Sequence, residues 1–221
     1  MLTLSTLLCE NMFMTRKKRK SEYHHGNLRA AVIECGLELI QEKGVRALTL
    51  REIGKRLGVS RSAPYRHFED KAALLSAISE AGFVEFATAL EAAKKSASDG
   101  FAAQIDALGA AYVRFASEHR GHFEVMFTQP PELGSPAAKA GARAFEILEQ
   151  TIREGQQRGE VRQGDPALLA RTVWALVHGA SMLRLDSDSA DPYFIRFSGE
   201  VLRSGLTEPH PPATPSQTAE K

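Results

Sequence analysis

The sequence predicts an all-α protein in two parts: a small N-terminal three-helix head carrying a helix-turn-helix, and a larger helical body behind it. Three observations predict this. Apolar residues recur at helical spacing in nearly every segment. No stretch alternates apolar and polar residues as a half-buried strand does. Cap residues and Gly or Pro stops punctuate the helical runs where helices of ordinary length would begin and end.

The first helix, residues 28–42, places Leu28, Ala31, Val32, Cys35 and Leu39 on one face. Lys43 and Gly44 supply its C-terminal stop. Thr49 caps the second helix, with Glu52 three residues on in capping-box arrangement. Leu50, Ile53 and Leu57 line the inner side of that helix, Gly58 ends it, and Val59 plugs the turn. Ser60 is the expected N-cap of a third, very short helix in "RSAPYRHF". Counted from that cap, Pro64 is the fourth helical position, where the N–H that proline lacks would have no intrahelical partner. Asp70 caps the next helix, whose apolar positions include Leu74, Leu75, Ile78 and Phe83. Further helices are expected at 101–118, 122–127, 136–158, 166–185 and 192–206, with a loop at 128–136. The domain reading is a disordered leader and basic arm at 1–22, the head at 23–72, the body at 73–206, and a Pro-rich disordered tail at 207–221.

Of the 221 residues, 25% are charged and 43% apolar, as in an ordinary globular protein. No run approaches the roughly 20 apolar residues of a membrane span, so no membrane partner is expected. Two cysteines, Cys9 and Cys35, make no disulfide framework, and a reducing, cytoplasmic compartment is the expectation. The net charge of +1 hides a polarity. Residues 15–71 carry 14 Lys and Arg against 7 Asp and Glu, whereas the rest of the chain carries 14 against 20. A basic head on an acidic body points to two jobs, one of them with a polyanion.

Two short helices joined by a tight Gly turn make a helix-turn-helix, whose second helix can enter the major groove of double-stranded DNA. Pro64 and Phe68 are four apart and are expected to pack inward on Leu50, Ile53 and Leu57. Arg61, Ser62, Tyr65 and Arg66 then fall on the opposite stripe. Arg can grip a guanine edge with two hydrogen bonds, Ser serves base or phosphate, and Tyr reaches phosphate. His67 at the helix end and Lys71 in the first turn of the next helix are placed for backbone phosphates. The "RKKRK" arm at 16–20 adds a flexible cationic segment that strengthens DNA binding without geometry.

The segment "ALTLREIGKRLGVSRSAPYRHFEDKAALL" resembles the DNA-binding signature of TetR-family transcriptional regulators, with Tyr65, His67, Phe68 and Lys71 meeting its Tyr-x-His-Phe-x-x-Lys spacing. The resemblance runs from about residue 27 to 83. It implies that Thr49, Arg61, Ser62, Tyr65, His67 and Lys71 contact operator DNA, Thr49 and Lys71 through phosphates. It also implies a homodimer joined by the last two helices, with a small-molecule effector held in the body. The body in turn resembles a subgroup named for a Trp-His-Gly signature, here Trp174, His178 and Gly179 in "WALVHGASML", and "YVRFASEHRGHFEVMF" is similar to that subgroup's central helices.

Trp174 and His178, at i, i+4, and the aromatics Phe123 and Phe127 are the candidate ligand-binding residues. A core role explains them equally, since a lone His on an apolar helix face commonly has one satisfied hydrogen bond. The pairs His119–His122 and His24–His25 lack a third partner at motif spacing, so no metal or other cofactor is expected. No phosphate loop, nucleophile elbow or Cys/His catalytic motif is present, and no catalytic residues are expected. The expected function is a cytoplasmic homodimeric repressor released from a palindromic operator by a small molecule. An all-helical enzyme or metal-binding protein, and an architectural DNA binder without an effector, remain open alternatives. Sequence-selective DNA binding separates them.

Overall fold

A computed structural model of the protein describes residues 27–128, 131–186 and 192–207. The leader, the basic arm at 16–20 and the Pro-rich tail from 208 onward lie outside the described residues. Among those described, helices account for all regular structure, and no strand occurs.

The head begins with α1, Leu28–Lys43, opened by Asn27, whose Oδ1 accepts the Ala30 N–H at 3.2 Å. Gly44, with φ of 76°, closes it by donating its N–H to the Ile40 carbonyl. A single 3₁₀ turn at Val45–Ala47 follows, an element that helical periodicity does not reveal. Thr49 caps α2, Leu50–Arg56, accepting the Glu52 N–H at 3.1 Å. Gly58 sits at φ of 68°, and the Val59 N–H returns to the Gly54 carbonyl at 3.0 Å. That paired closure is the Schellman end that Gly at this position permits.

The third helix of the head differs from its expected form. Residues 61–63 are a turn, and only Pro64–Arg66 is helical, as a 3₁₀ segment with Pro64 at its first position. Ser60 does not cap a backbone N–H; its Oγ faces Ser62 Oγ at 3.3 Å. Proline has no N–H to close an α-type bond here. The backbone takes i→i+3 bonds instead, from Ala63 N–H to Ser60 O, Arg66 N–H to Ala63 O and His67 N–H to Pro64 O. First position is where a fixed φ and a missing donor cost least. The ring is also a packing group: a Cβ on Gly54 would stand 3.3 Å from Pro64 Cγ, so glycine in α2 lets the turn close on it.

The long α3, Lys71–Ser96, is capped by Asp70, whose Oδ1 accepts the Ala73 N–H at 2.8 Å. Its first turns complete the head core, where Leu74, Leu75, Ala77 and Ile78 join Val32, Leu39, Leu48, Leu50, Ile53 and Phe68. The expected boundary at 72/73 therefore falls inside a continuous helix, and the head's core extends about two turns past it. Beyond Ile78 the same helix turns Phe83, Phe86 and Leu90 into the body. It is long and apolar enough to cross a membrane, but 56% of its most apolar stretch is buried inside the protein, as befits a helix shared by two cores.

The body adds α4 (Phe101–Glu118), α5 (Arg120–Thr128), α6 (Pro136–Gln157), α7 (Pro166–Asp186) and α8 (Pro192–Thr207). Helices α4, α5 and α6 pack on α3, α7 packs on α4 and α6, and α8 lies against α7. The short α5 bridges the parts. Its Val125 enters the head core while Phe123 and Met126 enter the body core.

Candidate nucleic-acid interface and body cavity

The burial pattern divides the segment after α2 by side. Pro64 is buried and Phe68 is 4% exposed, so both face inward. Arg61, Ser62, Tyr65, Arg66 and His67 are all exposed, Tyr65 by 52%. Arg61, Tyr65, Arg66 and His67 pair their side chains with no other described residue. The exposed Thr49 stands at the α2 N-terminus. The segment thus exposes two cations, a phenol and an imidazole on the side opposite its buried Pro64 and Phe68. Such a set can take phosphates and base edges from one groove.

Lys71 is placed differently. Its Nζ donates to the Val45 carbonyl at 2.7 Å and lies 3.4 Å from that of Arg46, tying the start of α3 to the 3₁₀ turn. The remaining donors of an ammonium are still available to a phosphate.

In the body, a cavity of about 1040 Å³ opens between α3, α4, α5, α6, α7 and α8. Phe83, Phe86, Leu108, Tyr112, Met126, Phe127 and Trp174 form its apolar wall, while Asp106, Arg171, Glu200 and Arg203 add polar groups to the lining. Arg203 donates to Asp106 there. Its size and its mix of apolar wall and few polar groups suit a small organic ligand.

Of the four residues expected to line a pocket, Trp174 and Phe127 do. Phe123, 2% exposed, and His178 stand behind the wall. His178 stacks between Trp174 and Phe123, with ring centroids at 5.1 and 5.6 Å, and its Nδ1 pairs with the Tyr112 hydroxyl at 2.8 Å. It is half-buried behind the wall, with one satisfied hydrogen bond. Tyr112 is the residue that sequence reasoning missed; its i, i+3 spacing with Phe115 on the inner face of α4 was the available signal.

Burial holds the His178 imidazole below its ordinary value of 6.5, so it is neutral in the fold. The unfolded chain takes up that proton more readily. Stability from this group is therefore full above 6.5 and is lost as pH falls through and below that value. His122, also held down by burial, adds to the same slope. Thermal melts between neutral pH and about pH 5 check this: Tm falls with acid, and His178→Phe makes the fall shallower.

One further cluster assembles only in three dimensions. Glu85 of α3 brings Oε2 to 3.5 Å from His119 Nδ1 and 3.8 Å from His122 Nδ1. The third partner that the His119–His122 spacing could not supply comes from another helix, which local spacing cannot register.

Fold and site together define an all-helical protein with a helix-turn-helix head and a cavity-bearing helical body. Two family models match in register with those parts. "Bacterial regulatory proteins, tetR family" covers residues 32–78, and "Tetracyclin repressor-like, C-terminal domain" covers 105–195. The chain belongs to the TetR family. It is 49% identical over 53 residues to the class C tetracycline repressor of Escherichia coli, a match covering 24% of each chain. The chain thus spans about a quarter of the length of the curated relatives it matches. Over a longer span it is similar to a protein of unknown function from Rhodococcus sp. RHA1, with 31% identity, a TM-score of 0.75 and coverage of 85% of this chain and 100% of the other. A TetR-family regulatory protein from Rhodococcus RHA1 shares the fold at a TM-score of 0.64 and 23% identity, covering 79% of this chain and 94% of its own.

Proposed function

We propose that the protein is a cytoplasmic, homodimeric DNA-binding transcriptional regulator, a repressor released from its operator by a small molecule. The observation that carries this reading is the unpaired, exposed set Arg61, Tyr65, Arg66 and His67 on a segment whose opposite side is anchored by buried Pro64 and Phe68. Arg61 and Ser62 read base edges; Thr49, Tyr65, Arg66, His67 and Lys71 hold phosphates. Exposed Leu168, Leu176 and Leu183 on α7, with Phe197 and Val201 on α8, support a dimer joined through these two helices. Such a dimer would present two heads to successive major grooves of a palindromic site. An effector in the cavity bounded by Trp174 and Phe127 would favour a head spacing that no longer fits, to the extent that it binds the two states differently. The Trp174-His178-Gly179 set supports placing the body in the Trp-His-Gly subgroup.

Titration with DNA flanking the protein's own gene, against scrambled DNA at two salt concentrations, tests the reading. Selective binding of two protomers per site is expected. Weak, unselective binding that salt abolishes would replace it with an architectural role. Arg61→Ala is expected to cost about 1–3 kcal/mol of binding and to relax base preference. Lys71→Ala is expected to weaken all sequences alike and to lower the salt slope by about one. Equal loss on every sequence for Arg61→Ala would move Arg61 to the phosphate set.

A further inference from the structure

We propose that Glu85, His119 and His122 form a binding site for a divalent transition-metal ion of the zinc class, at the joint between head and body. Both imidazole Nδ1 atoms face the same carboxylate oxygen, at 3.5 and 3.8 Å. Those separations exceed a good hydrogen bond. They are close to the edge of a tetrahedron of nitrogen and oxygen ligands around zinc, about 3.3–3.5 Å for bonds near 2.1 Å. All three ligand atoms lie within 4.8 Å of one another. Two imidazoles and a carboxylate match the three-ligand sets that keep a fourth position open, and Glu85, at 48% side-chain exposure, leaves that side to solvent.

The two imidazoles are held in place before any ion arrives. His119 is the C-cap of α4, its N–H bonded to Phe115 O and its carbonyl taken by the Phe123 N–H, both at 2.9 Å. Its ring stacks on Phe115 with centroids 4.6 Å apart. His122, whose side chain is 14% exposed, sits directly over Gly82, where a Cβ would come within 3.1 Å of its Cδ2. Glycine one turn before Glu85 therefore lets the second ring close on α3. The Nε2 of His122 is buried without a partner among the described residues, so hydrogen bonding does not account for the position of this ring.

The site's location gives it a consequence. It ties α3 to the α4–α5 joint, and α5 is the element whose Val125 enters the head core and whose Gly121 lies against Leu37 and Gln41 of α1. A bound ion would clamp the support on which the head rests. Imidazole and carboxylate ligands favour zinc or its first-row neighbours, whereas magnesium demands an octahedral oxygen shell.

The test uses the full chain, free of any affinity tag and stripped of metal, titrated with Zn(II) against a chromogenic chelator. One ion per chain is expected, with no competition from Mg(II), and Co(II) in its place should give the visible absorption of a low-coordinate site. Glu85→Gln and His119→Gln should each weaken binding at least about 100-fold, more than the loss of a group that only supports a ligand. Both positions are partly exposed, and thermal melts without metal establish that the variants fold. Zn(II) should raise the Tm of the parent and not of Glu85→Gln. Absence of saturable one-to-one binding overturns the proposal. So does binding of undiminished strength in both variants, which would put the ion elsewhere, for example at His24 and His25. None of these readouts depends on DNA, so failure here leaves the regulatory reading untouched, and the reverse.

Discussion

Phe68→Ala is expected to destabilise the head by about 3–5 kcal/mol, enough to unfold it at ordinary temperatures. Phe68 is 4% exposed in a core built from α1, α2 and the first turns of α3. It is also the residue at which the 3₁₀ turn is fastened, since its N–H returns to the Pro64 carbonyl at 3.1 Å. The guanidinium of Arg29 lies 5.4 Å from the ring centroid, a contact that would be lost as well. Removing the ring leaves a cavity in the core that α1, α2 and α3 share. Tyr65, three residues earlier and 52% exposed, is the control. Tyr65→Ala should change stability by less than about 0.5 kcal/mol while weakening DNA binding. Amide exchange of head residues, with thermal melts of the full chain, measures both. A head that stays protected in Phe68→Ala would refute the division of faces on which the DNA-binding assignment rests.

That division was legible because it is local. Thr49 and Asp70 cap as their side-chain types require, and Gly44 and Gly58 occupy the positive φ that ends each helix. Inward Phe68 and outward Arg61 follow from residue types and short spacing along one segment. The detail that escaped was the form of the Pro64 turn. Whether a proline stands first or fourth in a short helix depends on which residue accepts the neighbouring N–H, and here Ser60 Oγ turned to Ser62 instead of capping. The longer-range features escaped for a different reason. Glu85 is an exposed helix residue until α5 is laid across Gly82, and Tyr112 is one more apolar-face residue until α7 brings His178 to it. That α3 belongs to two cores was not legible, because it has one uninterrupted period that serves them in turn.

Phe123→Ala is the second large effect, again about 3–5 kcal/mol, but in the body. The cost follows from its position behind the cavity wall. At 2% exposure it meets Tyr112 at 6.0 Å, Phe127 at 4.7 Å and His178 at 5.6 Å between ring centroids. It is the backing against which the wall residue Phe127 and the Tyr112–His178 pair are held. Truncating it removes those contacts and opens a void next to a hydrogen bond that then admits water. Phe123→Leu, which keeps most of the volume, should recover much of the loss. Trp174→Ala makes the contrast. Trp174 is partly exposed and borders the cavity, so its truncation enlarges a space that already exists and should cost less stability than Phe123→Ala while changing which ligands the body holds. Melts of the three variants, with and without a panel of apolar small molecules, separate the roles. If Phe123→Ala lost little stability and instead altered ligand preference, the ring would belong to the wall, and the cavity would extend past Phe127 to Phe123, one turn earlier on α5.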